Sequence, residues 1–268
     1  MADNWEMNHL LQRHAFELLL AGDNDEQAFQ DFLEKNSRFI PREFVQNHGI
    51  AQSLVLRKLP FGPDYKSDLF YFSKSSDDWN AVFVELEKPQ SRFFRGNSNI
   101  FHADFERALQ QINQWKAWFL SDQNRGGFLS SVSALQVPAH MARNPTYFKY
   151  VLVFGRRAEY AGNEDRRRLI NATETDNFKV ITYDSLSEDL EHKFEVAIGS
   201  RHNQFIDILT DEIVSPTMYC WVEPTQLRVS AALHERLKNS TDSSARVLVN
   251  GTLVSALVRA SNLVRVRS

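Results

Sequence analysis

The chain has 268 residues, 43% of them hydrophobic, and a formal net charge of −3, which suits a folded domain with a substantial core and argues against disorder. Its single cysteine, Cys220, excludes an intrachain disulfide framework and a multi-cysteine metal cluster. No apolar run reaches the roughly 20 residues that cross a bilayer, and the start Met1-Ala2-Asp3-Asn4-Trp5-Glu6 lacks the features of a secretion signal, so the expected location is the cytoplasm, with no membrane partner.

In chain order, the pattern is helical from Met7 to about Ala21 and again from Asp25 to Leu33, where Phe29, Phe32 and Leu33 share a side. Residues 44–54 read as a short helix and then an extended run. Two strands follow, over Asp68 to Phe72 and Ala81 to Glu87, separated by a polar turn and able to pair as a hairpin. Pro89 closes the second. Phe101 to Leu120 is the clearest helix, because Phe105, Ala108, Ile112, Trp115 and Phe119 recur at spacings of three and four. Gly126-Gly127 marks its end region. Tyr147 to Phe154 is a nearly continuous apolar strand, suited to burial on both faces. A helix over Asp165 to Ala172, a strand over Phe178 to Thr182 and a helix capped by Asp184 and running to about Ala197 complete an α/β pattern. Leu233 to Lys238 can end a further helix, Asn239 to Ser244 is a polar linker, and Val247 to Val266 reads as short strands. The organisation expected is an N-terminal helical segment (1–24), an α/β domain (25–200) and a C-terminal extension (201–268).

The chemistry concentrates in Val82-Phe83-Val84-Glu85-Leu86-Glu87-Lys88-Pro89. Side chains two apart on a strand point the same way, so Glu85 and Glu87 share a face. If Asp68 lies on the neighbouring strand, three carboxylates can converge, and hard oxygen ligands suit Mg2+ or Mn2+. Such an ion activates water and neutralises charge on a phosphodiester. Lys88 reaches the same side only if the strand bends before Pro89. The alternation equally suits the wet face of a half-buried strand, and the residues alone leave both readings open. Arg92, Arg95, Arg156 and Arg157 are candidate phosphate contacts. Neither a phosphate-cradling GxxxxGK[ST] stretch nor a GxGxxG fingerprint is present, so nucleotide cofactors are not implied.

Four segments in order resemble one family. Glu85-Leu86-Glu87-Lys88-Pro89, then Ala108-Leu109-Gln110-Gln111-Ile112-Asn113-Gln114-Trp115, then Phe154-Gly155-Arg156-Arg157, then Ile181-Thr182-Tyr183-Asp184-Ser185-Leu186 look like the Shedu-type anti-phage defence proteins of the PD-(D/E)XK nuclease superfamily. The resemblance implies a restriction-endonuclease-like core, a mixed central sheet flanked by helices with a small C-terminal extension. It implies Mg2+-dependent cleavage of DNA and assembly as a homo-oligomer. Asp68 then matches the first motif acid, Glu85 the second, and Gln111 the helix glutamine near the site. The chain departs from the pattern at Glu87, where the motif has lysine. Lys88 can substitute; the alternative is a weak or inactive nuclease-like module that binds DNA or protein.

Overall fold

The structure is a computed structural model and describes residues 2–215, 227–238 and 265–266. Cys220, the 239–244 linker and the strands expected from Val247 lie outside the described residues, apart from Arg265–Val266. The helices are α1 (Ala2–Ala21), α2 (Glu26–Lys35), α3 (Ala103–Trp118), α4 (Asp122–Val132), α5 (Glu164–Asn171), the single turn α6 (Tyr183–Leu186) and α7 (Ala231–Lys238). The strands are β1 (Leu54–Pro60), β2 (Lys66–Lys74), β3 (Trp79–Leu86), β4 (Thr146–Val153), β5 (Phe178–Ile181), β6 (Ala197–His202), β7 (Phe205–Ile208), β8 (Leu227–Val229) and β9 (Arg265–Val266). Together they make the α/β architecture expected from the sequence, a mixed sheet flanked by helices. Among the described residues no helix is long and apolar enough to cross a membrane.

The chain divides into two compact units, the first made of Met1–Glu43, Phe83–Ser121 and Phe148–Glu195 and the second of the remaining segments. In the first unit β5 lies parallel to β4, with Tyr150 opposite Phe178 and Leu152 opposite Val180. A parallel pair needs a crossover, and α5 supplies it. The end of β3 joins β4 through the Glu87 N–H, which donates to the Val153 carbonyl at 2.9 Å. Helix α2 begins where Asp25 accepts the Ala28 N–H at 3.0 Å, an N-cap that satisfies one of the orphan donors. Its Phe29 packs on Tyr183, and Phe16 of α1 packs on Phe29 and Phe39. Helix α3 buries Phe105, Ala108, Ile112 and Trp115, the stripe expected from the sequence. Phe105 meets Phe93 and Phe154 with ring centroids 5.0 and 5.1 Å apart.

In the second unit β1 pairs antiparallel with β2 (Leu56 opposite Phe70) and parallel with β6 (Val55 opposite Ile198). Strands β6 and β7 are antiparallel, and β8 and β9 extend the sheet in parallel. Ser200 therefore sits inside a strand. The connection between β2 and β3 is a tight turn in which the Ser75 N–H donates to the Asp78 carbonyl at 3.0 Å.

Three expectations change. Residues 44–53, expected as a short helix and then an extended run, hold turns and a single 3-10 turn at Ala51–Ser53, and the strand β1 that follows from Leu54 was not expected. Gly126 and Gly127 lie inside α4, because Phe128 and Val132, four apart and buried, fasten that helix despite its glycines. The helix expected from Asp184 to Ala197 is the single turn α6: Asp189 adopts φ +53, which ends helical geometry, and Ala197 opens β6.

Gly155 has φ +55, and a Cβ placed there meets the Ser91 carbonyl oxygen at 2.8 Å and the Phe93 ring at 3.0 Å. Backbone in that region favours glycine, and an imposed side chain adds a contact with a fixed carbonyl. Gly155→Ala is expected to lower stability by about 1–3 kcal/mol, read as a lower urea midpoint with an unchanged slope.

Candidate functional site

In the first unit the site grows from the end of β3 and one face of α3. Glu85, the penultimate residue of β3, is half-buried, and the Gln111 side-chain amide of α3 donates a hydrogen bond to its Oε1. Beyond Leu86 the chain stays in register for one more residue, where the Tyr183 hydroxyl donates to the Glu87 carbonyl. Pro89 carries no N–H to continue the ladder, and the Ser91 N–H donates back to the Lys88 carbonyl at 3.0 Å. The strand has thus ended before Lys88, and strand alternation no longer separates it from Glu87. Both line a cleft of about 460 Å³, together with Gln90, Ser91, Asp104, Arg107 and Gln111. Asp104, Arg107 and Gln111 are spaced by three and four, which puts them on one face of α3.

The loop after β3 is tied down by side chains of a later segment. The Glu159 carboxylate accepts the N–H groups of Phe93 and Phe94 at 2.8 and 2.9 Å. Buried Arg166 donates to the carbonyls of Glu159, Gly96 and Ser98 and stacks on Phe94. Arg166 therefore organises the loop rather than offering its charge outward.

In the second unit Asp68 is 5% exposed. The β1–β2 register, Arg57 opposite Leu69 and Leu59 opposite Ser67, places Lys58 across from Asp68, and its ammonium contacts Oδ1. Lys58 holds a left-handed φ of +45, strain that a non-glycine residue keeps only when its surroundings impose it. Nothing in the residue spacing marks Lys58; only the register reveals it. Among the described residues no group of three or more His, Cys, Asp or Glu side chains is arranged to hold a metal ion.

The arginines divide. Arg156 grips Asp184 with Nε at 3.1 and 3.2 Å and Nη2 at 2.8 Å, and the Arg157 N–H donates to the same carboxylate at 2.7 Å. The Arg157 guanidinium reaches Glu188 at 2.5 Å. Arg95 donates to the Phe101 carbonyl at 2.9 Å and reaches Glu106 at 3.4 Å. Arg92 is exposed. Burial pushes the Asp184 carboxyl up, but the hydrogen bonds from Arg156 and Arg157 and the Arg156 charge outweigh it and hold the group below its ordinary value.

Two outcomes follow from these pairs. Lys58→Met leaves a buried carboxylate without its cation and is expected to cost about 2–4 kcal/mol, less if water reaches the site, measured by chemical denaturation. For Asp184 the lowered value means that the pair stabilises the fold above the unfolded carboxylate range, near pH 4, and that this is lost as pH falls through the folded value. Arg156→Met is therefore expected to be less stable than the parent by about 1–2 kcal/mol at pH 7, with the gap closing below about pH 4; a gap independent of pH refutes the assignment.

No curated protein matches the chain. The family profile described as Shedu protein SduA, C-terminal, matches residues 23–187. That span runs from just before α2 to the end of α6 and takes in β3, α3 and the Gly155–Asp184 region. It covers more than half of the chain, which therefore belongs to the Shedu protein SduA family.

Proposed function

We propose that the chain is a metal-dependent DNA endonuclease of the PD-(D/E)XK type, acting in the cytoplasm in anti-phage defence as a homo-oligomer. The observation that carries this reading is the Gln111–Glu85 hydrogen bond beside a cleft lined by Glu87, Lys88 and Gln111. The donors fit Mg2+ or Mn2+: carboxylate oxygens are hard ligands, and Mg2+ is commonly held by one or two carboxylates, with water and substrate phosphate completing the shell. Glu85 and Glu87 are the protein's share at this cleft. When bound, the ion lowers the pKa of a coordinated water and offsets charge on the phosphate.

The remaining roles fall to side chains. Gln111 fixes the orientation of Glu85, and a neutral amide does so without cancelling the carboxylate's charge. Lys88, which lines the cleft, would supply the ammonium that position 87 lacks and so offset charge on a bound phosphate. Glu87 in place of the motif lysine favours the second reading, a nuclease-like module that binds DNA without turnover.

Supercoiled plasmid is expected to be nicked or linearised with Mg2+ or Mn2+ and left intact in EDTA. Glu85→Gln is expected to abolish cleavage with an unchanged melting temperature. Gln111→Ala is expected to lose about 10–100-fold in activity or metal affinity, as partners of metal ligands do. DNA binding with no cleavage by the parent protein in any metal gives the second reading instead.

A further inference from the structure

We infer that Arg107 is a contact for the nucleic-acid backbone, gripping a phosphate one or two nucleotides away from the bond that is cut. This rests on the nuclease reading of the same cleft. Arg107 and Gln111 are four residues apart on α3 and both line the cleft, so they are separated by about 6 Å along the helix axis. Gln111 holds Glu85. A strand laid along α3 with its reacting phosphate at the Glu85–Glu87 end would present further phosphates at an axial rise of about 3.4 Å per nucleotide, so that one of them would fall at Arg107.

The guanidinium is prepared for this. Its Nη2 meets Asp104 Oδ1 at 2.5 Å, and its Nε is 3.4 Å from the Ala103 carbonyl. Both partners lie on its own helix, so the fork is aimed while other N–H groups of its five donors stay available. The side chain is 74% exposed, and an exposed i,i+3 ion pair contributes little to stability. A phosphate can therefore share the guanidinium at small cost. This separates Arg107 from Arg156, whose guanidinium is committed to Asp184 through three contacts.

Charge sets the expected size of the effect. Two acids and two bases line the cleft: Glu87 and Asp104 against Lys88 and Arg107. Without Arg107 a single ammonium faces two carboxylates, and a polyanion meets net repulsion.

The experiment uses the full chain and a fluorescent 20-base-pair duplex in EDTA, so that binding is read without cleavage. Anisotropy is measured across a salt series. Arg107→Ala is expected to weaken binding about tenfold and to reduce the salt slope by about 1, with the melting temperature unchanged. Arg107→Lys is expected to restore the slope, and Arg168→Ala, exposed on α5, to match the parent. Parent-like affinity and slope for Arg107→Ala overturn the inference. So does full recovery in Arg107→Ala/Asp104→Ala, because repulsion by Asp104 alone then explains the loss. Unlabelled strand is expected to compete where inorganic phosphate at equal phosphate concentration does not; equal competition means that the site takes free phosphate and overturns the strand contact. Cleavage by the parent with no Arg107 effect leaves the nuclease reading standing and removes this one. An Arg107 effect without cleavage by the parent keeps the backbone contact, removes the nuclease reading, and overturns the placement of Arg107 relative to a cut bond.

Discussion

Three phenylalanine rings from three separate elements hold the candidate site in place. Phe93 comes from the loop after β3, Phe105 from the first turn of α3 and Phe154 from the end of β4; their centroids lie 4.8–5.1 Å apart. All three are fully buried, and each edge-to-face pair adds about 0.5–1.5 kcal/mol beyond its buried area. The arrangement fixes the roll of α3. A one-residue rotation, about 100° on a 3.6-residue helix, turns Phe105 toward solvent and takes Gln111 off Glu85. Glu159, by accepting the N–H groups of Phe93 and Phe94, fixes the loop ring against the other two. The glycine after Phe154 lets the chain turn close to the Ser91 carbonyl. The position of one amide on one carboxylate thus follows from aromatic packing on a neighbouring face of the helix.

The acids in this chain accept from donors of different kinds. Asp184 is gripped by a guanidinium and a backbone N–H, which neutralise it and bind segments 28 residues apart. Asp68 faces an ammonium across a strand pair. Glu85 accepts a hydrogen bond from the Gln111 amide, a neutral donor that orients a carboxylate and brings no charge of its own. A carboxylate needed only for folding gains most from a cation. One needed for an incoming cation gains most from a neutral donor, because any resident positive charge has to be displaced first.

How much of this was legible depended on whether a feature is local. The stripe of α3 is periodic, and β2, β3 and β4 are apolar runs bounded by turns, so each is written in consecutive residues. Gln111 was reached through a family pattern, and its partner is the carboxylate that the pattern also marked. Lys58 was not legible, because Leu54-Val55-Leu56-Arg57-Lys58-Leu59-Pro60 alternates poorly and its partner is set by register with β2. Asp184 reads as a helix cap, and tertiary structure overrode that local use by presenting Arg156. The twin glycines of α4 read as a stop, and burial of Phe128 and Val132 overrode that too. The arginines show the same limit: sequence gives their charge, and only the fold shows which are already spent on Asp184, Glu188 and Glu106.

The substitution at position 87 is best understood through the end of the strand. On an uninterrupted strand residues 85 and 87 face one side and 88 the other, so moving a lysine from 87 to 88 would remove it from the site. Here β3 stops at Leu86, one further backbone bond holds Glu87 against β4, and Pro89 denies the ladder its next donor. The Ser91-to-Lys88 turn then bends the chain, and Glu87 and Lys88 line the same cleft. A proline three residues after the strand's last member thus makes a one-residue displacement of the lysine compatible with one site. Glu87 and Lys88 thus bring a carboxylate and an ammonium to one cleft, and on the nuclease reading proposed above they would together stand in for a single lysine.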